Sequence, residues 1–326
     1  MNISNYSKIV IWGHLLHSHT HSYIHEAFYK ASKFLGIETF WFDDENFPRD
    51  FDWDKTLFIT EGFASRNIPI RENSCYLSMY EPDPKRFADH ARYIELRLCA
   101  TDFEDHVSNY SFDPSNCLKT ESSVFLQKAT DRNIVVNNDY ISYSMASHDV
   151  IYLNWATNLL PNEINLKDAY YPRKKFFFFS GTISKKGKNE NFSQFKKLKK
   201  TLKAKDINFI HNNPWESPLP SAEVQNLTKK SIVGIDLRSV QHLRENLVTC
   251  RVFKNVSYGQ LAATNSSSIF KEMNGLGVYS TEPEELLELA LSARFNYELI
   301  QEGMRHVKNN HTYLNRLYGI TAALEL

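Results

Sequence analysis

The chain has 326 residues, 42% of them apolar and 13% aromatic, with 38 basic and 38 acidic side chains. That length is too great for one ordinary core and suits two domains of roughly 150 residues each. The balanced charge provides no overall field toward nucleic acid or an anionic membrane.

The N-terminal "MNISNYSKIVIWG" lacks the apolar run of a signal peptide. Within it "KIVIWG" (Lys8 to Gly13) is short, β-branched and ended by glycine, the pattern of a buried strand. From Ser22, the residues Ile24, Ala27, Phe28, Ala31 and Leu35 fall on one face of a helix that Gly36 is placed to end. "IETFWF", "TLFITEG" and "SCYLSMY" read as further strands; Arg92 to Asn154 is harder to parse, but "VIYLNWA" near Val150 reads as another. Strands and helices joined by short links favour a parallel sheet covered by helices. Cys75, Cys99, Cys117 and Cys250 are scattered without CxxC spacing, so they are expected to be reduced thiols in a cytoplasmic protein. No run of about 18 apolar residues offers a membrane span.

Between Asn158 and Lys175 the chain is polar and proline-punctuated, which predicts an interdomain link. The expected domains are 1–160 and 173–326, with the last helix a candidate to pack back on the first. The pattern then restarts. "KFFFFSG" is a strand, and "NFSQFKKLKKTL" a helix with Phe192, Phe195, Leu198 and Leu202 on one face. "DINFIH", "SIVGIDL" and "QLAATN" are strands, alternating with the helices "SAEVQNLTKK" and "CRVFKNVSYG". In "TEPEELLELALSARF", Thr281 and Glu284 have capping-box spacing and Pro283 lies in the first turn.

The order of signals from about Lys175 to Phe295 resembles the donor-binding domain of GT-B glycosyltransferases. There a strand ends in a glycine loop, here "SGTISKKGKN". A later "R-x-F-E-a-x-a-x-G" helix, here "CRVFKNVSYG", precedes a strand ending near the donor, and a "peeL" helix closes the domain. The resemblance implies an α/β fold of two Rossmann-like domains with parallel sheets facing a cleft. It also implies a hexosyl- or deoxyhexosyltransferase that uses a nucleotide-sugar donor and no required metal or other cofactor. A diphosphate needs backbone N–H groups and fixed cations. Ser180, Gly181 and Thr182 stand at the carboxyl end of a strand, where open α/β sheets bind ligands, and Lys186 is close enough to add charge. Arg251 and Lys254 are one helical turn apart, with Asn255 beside them, and could clamp the phosphates. Lys254 stands where the family pattern has glutamate, so a ribose contact must come from elsewhere. The departure leaves open a deoxysugar donor and also a non-catalytic nucleotide- or glycan-binding protein.

Five of the twelve histidines, His14, His17, His19, His21 and His25, crowd the passage from the first strand to the first helix. In the resembling fold this loop faces the acceptor, and inverting members place a general base there. Imidazole titrates near physiological pH and suits that role. His17 is the first candidate, with His14, His19 and His21 the others. Glu26, Glu61 and Glu81 are candidate orienting carboxylates. His25 lies within the helix and reads as structural or a ligand contact. Alternate spacing in "HSHTH" also admits a three-imidazole metal site. Glu81 and Asp83 in "MYEPDP" are candidates for acceptor hydroxyls, although acidic proline turns are often only turns. The nine lysines between Lys185 and Lys205 alternate with an apolar helix face and read as solvated, with approach to a lipid-linked acceptor a further reading. The expected partners are a nucleotide-sugar and a glycan or lipid-linked acceptor, with no nucleic acid and at most peripheral membrane contact.

Overall fold

The computed structural model describes residues 5–13, 22–61, 65–79, 85–88, 90–98, 117–119, 124–127, 149–185, 190–244 and 246–325. The chain divides into two compact units. Of the described residues, those up to 13, those from 24 to 154 and those from 314 on form the first. Residues 22–23 and 155–313 form the second.

The first unit is built on one sheet. Its strands are β1 (Lys8–Trp12), β2 (Thr39–Phe42), β3 (Thr56–Glu61), β4 (Cys75–Met79), β5 (Arg92–Leu98), β6 (Cys117–Lys119), β7 (Val124–Gln127) and β8 (Asp149–Leu153). They lie in the order β2-β1-β3-β4-β5-β8-β7-β6. The six from β2 to β8 in that order are parallel, and β7 and β6 are antiparallel. Thus the stretch from Arg92 to Asn154, hard to parse from sequence apart from the strand near Val150, supplies two parallel strands, β5 and that β8, and an antiparallel pair. The helices are α1 (Ser22–Phe34) and the short α2 (Lys85–Ala88). Gly36 at φ 72° does end α1, because only glycine takes that left-handed turn without a steric cost.

Register puts Val10, Trp12, Phe58, Tyr76 and Tyr93 on one face of this sheet, where they form a core cluster with Trp53 and Phe87. Phe58 and Tyr76 stack at 4.6 Å, Tyr76 and Phe87 lie 5.0 Å apart, and Phe87 and Tyr93 stack at 5.6 Å. This is where much of the chain's aromatic content goes, since rings bury large areas and gain further from offset packing. The one polar atom of Trp12 is satisfied: its indole N–H donates to Asp44 Oδ1 at 2.9 Å. Cys75 is buried in β4, and burial pushes its thiol up to about 12, so it is inert as a nucleophile. His25 is fully buried on α1, 3.8 Å from Glu61 Oε2, with its ring packed against Gly13.

The second unit contains β9 (Phe176–Ser180), α3 (Phe192–Ala204), β10 (Asn208–Asn212), α4 (Ser221–Lys230), β11 (Ile235–Asp236), α5 (Val240–Arg244) and α6 (Arg251–Ser257). These are followed by β12 (Ala263–Thr264), α7 (Ser267–Glu272), β13 (Val278–Tyr279), α8 (Pro283–Ala293) and α9 (Tyr297–Asn310). All pairings are parallel, β10 with β9 and β11-β12-β13 in that order. Ser231 couples the two groups: its hydroxyl accepts from Phe178 N and donates to Val233 O. One core gathers Phe177, Phe179, Phe195, Leu198, Ile235 and Leu286, and another Val252, Phe253, Val256, Met304 and Val307. The last helix, α10 (Tyr313–Glu325), carries the buried Arg316 of the first unit, whose Nε donates to Asn154 O at 2.7 Å.

Three local expectations are corrected. The stretch from Asn158 to Lys175, expected to link the domains, lies within the second unit, where Leu159, Ile164 and Ala169 enter the core around Val252. Phe192 does not share the buried face of α3 with Phe195, Leu198 and Leu202 but is exposed, with the Lys185 ammonium 5.0 Å from its ring. Thr281 does not cap α8. Its N-cap is Glu282, and Ser280 accepts from Glu282 N and donates to Glu285 instead.

The packing of His25 on Gly13 gives a direct test. A Cβ at Gly13 would lie 2.2 Å from Cε1 of the buried imidazole. Gly13→Ala is therefore expected to cost about 1–3 kcal/mol in urea unfolding, the usual penalty of overpacking. Gly13→Ala combined with His25→Ala should recover part of it, and an unchanged midpoint in the single variant would contradict this packing.

Candidate functional site

The carboxyl ends of β9 and β11 and the start of α6 bring the cations and the glycine loop together. β9 ends at Ser180, whose hydroxyl donates to Asn212 Oδ1 at 3.1 Å. Both backbone groups of Gly181 are engaged by β10: its N–H donates to Asn212 O at 3.0 Å, and its carbonyl accepts from His211 Nε2 at 2.8 Å. Gly181 has φ 151°, and a Cβ there would lie 2.4 Å from Nη2 of Arg251. So the space freed by the missing side chain is filled by the arginine. Asn191 holds the rest of the loop, with Nδ2 donating to Thr182 O at 3.1 Å and Oδ1 accepting from Ser184 N at 2.9 Å.

Arg251 opens α6 and stacks its guanidinium 4.5 Å from the Phe179 ring centre. Nε and Nη2 donate to the Ser180 carbonyl at 3.4 and 3.3 Å, and Nη1 to Asp236 Oδ1 at 3.3 Å. A guanidinium has five N–H donors, so two remain for a ligand, and 24% of the side chain is exposed. Asp236 is fully buried at the end of β11 and is forked by Arg238, whose Nε reaches Oδ2 at 2.7 Å and whose Nη2 binds Oδ1. Thr264 Oγ1 adds a donor at 3.4 Å. Asn265 fixes Arg238 from β12, accepting from its N–H at 2.7 Å and donating to its carbonyl at 3.2 Å.

The electrostatics follow from two guanidiniums meeting one carboxylate. Burial alone would raise the Asp236 carboxyl, but Arg238 and Arg251 hold it below its ordinary value. Burial, then Arg238, pushes Arg251 down to about 10, so it stays charged at neutral pH. His242 on α5 is pushed down to about 4, by burial first and then by Arg238 and Arg251, so it is neutral there. The group carries one net positive charge, and Arg251 brings it to the surface beside a strand end, an arrangement suited to an anion.

Of the residues expected from sequence, Ser180, Gly181 and Arg251 are brought together. Thr182 is exposed one residue further on, with its carbonyl taken by Asn191. Lys254 projects elsewhere, its ammonium 4.6 Å from the centre of the Tyr23 ring. Asn255 packs against Gly234, where a Cβ would approach its Cγ to 3.2 Å. His14, His17, His19, His21, Glu81, Asp83 and Lys186 lie outside the described residues. Sequence reasoning missed Asp236, Arg238, His242 and Asn265. The signal was present in "GIDLRS": a carboxylate within an apolar strand needs a buried cation, and Arg238 two residues on projects to the same face.

The depressed His242 sets the sign of a pH effect. From its ordinary 6.5 down to about 4 the unfolded chain binds a proton that the fold refuses. Stability from this group is therefore full above 6.5 and lost as pH falls through that window. The fall in urea midpoint between pH 7 and 4.5 should be smaller in His242→Gln than in the unaltered protein. Equal falls would remove His242 from this environment.

No family model matches the chain, and no curated protein matches it. Among solved structures it is similar to T4 phage BGT in complex with its UDP-glucose substrate, with a TM-score of 0.47 and 10% identity over 96% of this chain and 99% of that one. It is also similar to a UDP-forming α,α-trehalose-phosphate synthase from Burkholderia vietnamiensis, with a TM-score of 0.45 and 10% identity over 93% and 79% of the two chains. A third is α,α-trehalose 6-phosphate synthase from Burkholderia multivorans, with a TM-score of 0.45 and 11% identity over 98% and 72%. At such identities the chemistry of the site has to be read from its own residues.

Proposed function

We propose that this chain is a glycosyltransferase that binds a nucleotide-sugar through the Ser180–Gly181 turn and Arg251, and transfers the sugar to a hydroxyl of a glycan or lipid-linked acceptor. The observation that carries this reading is the guanidinium of Arg251 seated in the space over Gly181 and shared with a carboxylate already forked by Arg238. In this reading the surplus cation faces the diphosphate leaving group, which gains charge as its bond to the anomeric carbon breaks, and a fixed charge stabilises that change without reorganising. In the transfer, the acceptor oxygen attacks the anomeric carbon. The bond to the diphosphate breaks with its electron pair, and a base takes the hydroxyl proton. We assign that base to the histidine-rich loop, His17 first and then His14, His19 or His21, which implies inversion. No metal or other cofactor is needed for this scheme.

A second reading is favoured by Lys254. It replaces the glutamate of the resembling pattern, and its ammonium lies over Tyr23. A protein that binds a nucleotide or glycan without transfer would tolerate that loss of a hydroxyl acceptor. Donor hydrolysis separates the two, since a transferase leaks some sugar to water and a binding protein does not.

Arg251→Ala should weaken nucleoside-diphosphate binding by about 1.5–3 kcal/mol in calorimetry, the range for charged hydrogen bonds. Unchanged affinity in the folded variant would remove the residue from the site. Single alanine variants of His14, His17, His19 and His21 test the base. The catalytic one should lose about 10²–10⁴-fold in turnover while keeping donor affinity and melting temperature. Near-normal rates in all four would place the base elsewhere and favour a retaining mechanism.

A further inference from the structure

The lysines of α3 separate into two groups. Lys197 pairs with Glu282 at 3.0 Å, and Lys205, just beyond the helix, pairs with Glu288 at 2.7 Å, so that edge is neutralised by α8. Lys196, Lys199, Lys200 and Lys203 are exposed, and none has an acidic partner among the described residues. Their spacing is i, i+3, i+4 and i+7, which places all four on one helix face over about 10 Å. Phe192 heads the same face, one turn before Lys196, and is 36% exposed beneath the Lys185 ammonium. Beside the stripe, Lys199, Lys203 and the Lys175–Asp206 ion pair, at 2.7 Å, rim a recess of about 560 Å³ floored by Leu202 and Phe209. Lys199 Nζ stands 4.4 Å from the centre of the Phe209 ring.

Four like charges on adjacent turns repel one another, so the stripe lowers the stability of the helix that carries it. Nothing in the donor site uses it. We propose that this face of α3 docks on an anionic lipid surface. Lysine ammoniums act as compact point charges and match the diffuse field of anionic headgroups. An exposed phenylalanine among cations suits the boundary between headgroups and acyl chains. A nucleic acid duplex is the weaker match. The stripe has no arginine for forked phosphate or base contacts, a duplex offers no apolar layer for Phe192, and the chain as a whole carries no net charge.

The test is co-sedimentation of the full chain with vesicles of equal phosphatidylcholine and phosphatidylglycerol, and with phosphatidylcholine alone, at low and at physiological salt. The protein should bind the anionic vesicles only, and more weakly as salt rises. Each lysine near such a surface contributes about fivefold to partitioning, so replacing Lys196, Lys199, Lys200 and Lys203 with glutamine should lower it by several hundredfold. Melting temperature should hold or rise, since the repulsion is relieved, and nucleotide affinity should not change, which keeps this result separate from the donor-site reading. A control with the same charge loss at Lys33, Lys55, Lys167 and Lys271 should keep most of the binding. The proposal is overturned by absence of binding to anionic vesicles, by equal binding of the stripe variant, or by an equal loss in the control. Tighter binding to a short DNA duplex than to vesicles at matched phosphate and salt would also overturn it, and would reassign the face to nucleic acid.

Discussion

The second unit is organised around one buried carboxylate. Asp236 has no exposure, and an ionised group so placed is tolerated only with cationic and hydrogen-bonding partners. Removing one partner from such a group typically costs about 3–5 kcal/mol, because the charge left behind has no water. Arg238 comes from the same strand end, Thr264 from β12 and Arg251 from α6, so three elements must be in register for the charge to be balanced. Arg251 extends the arrangement to β9 by bonding the Ser180 carbonyl. The pairing therefore fixes where α6 begins relative to the strand ends.

Because the carboxylate is already forked by Arg238, Arg251 binds it through one long bond. The same guanidinium is only partly covered and stacked on Phe179. It is positioned by packing more than by neutralisation. That difference separates a structural ion pair, in which both charges are spent, from a preorganised anion contact, in which one charge stays available. Gly181 belongs to this logic: any side chain there would displace the guanidinium from the strand end.

The two units solve the polar problem at their strand ends in different ways. In the first, Asp44 collects the Trp12 indole N–H and the backbone N–H groups of Arg66 and Asn67, which ties loop backbone to the aromatic core. In the second, side-chain amides do this work: Asn191 and Asn265 each pair with both a donor and an acceptor of the backbone near the site. Among the described residues, Ser180 supplies the carbonyl to which the Arg251 guanidinium is bonded.

Much of the architecture was legible in the chain itself. Apolar runs ended by glycine marked β1, β3 and β9, and helical spacing marked α1 and α3, because these patterns arise from local geometry. The glycine that ends β9 at Gly181 was legible for the same reason, whereas Arg251 was singled out through the family resemblance. The antiparallel pair β6 and β7 was not, since short strands carry little periodicity and gain their identity only by pairing. Phe192 was misread because a period of 3.6 residues cannot tell the margin of a buried face from an exposed line beside it. Sequence by itself determined that Arg251 and Lys254 would share a helix face. Only the tertiary structure decided that Arg251 meets Asp236 while Lys254 turns to Tyr23, because a side chain's partner depends on which distant segments the fold brings within reach.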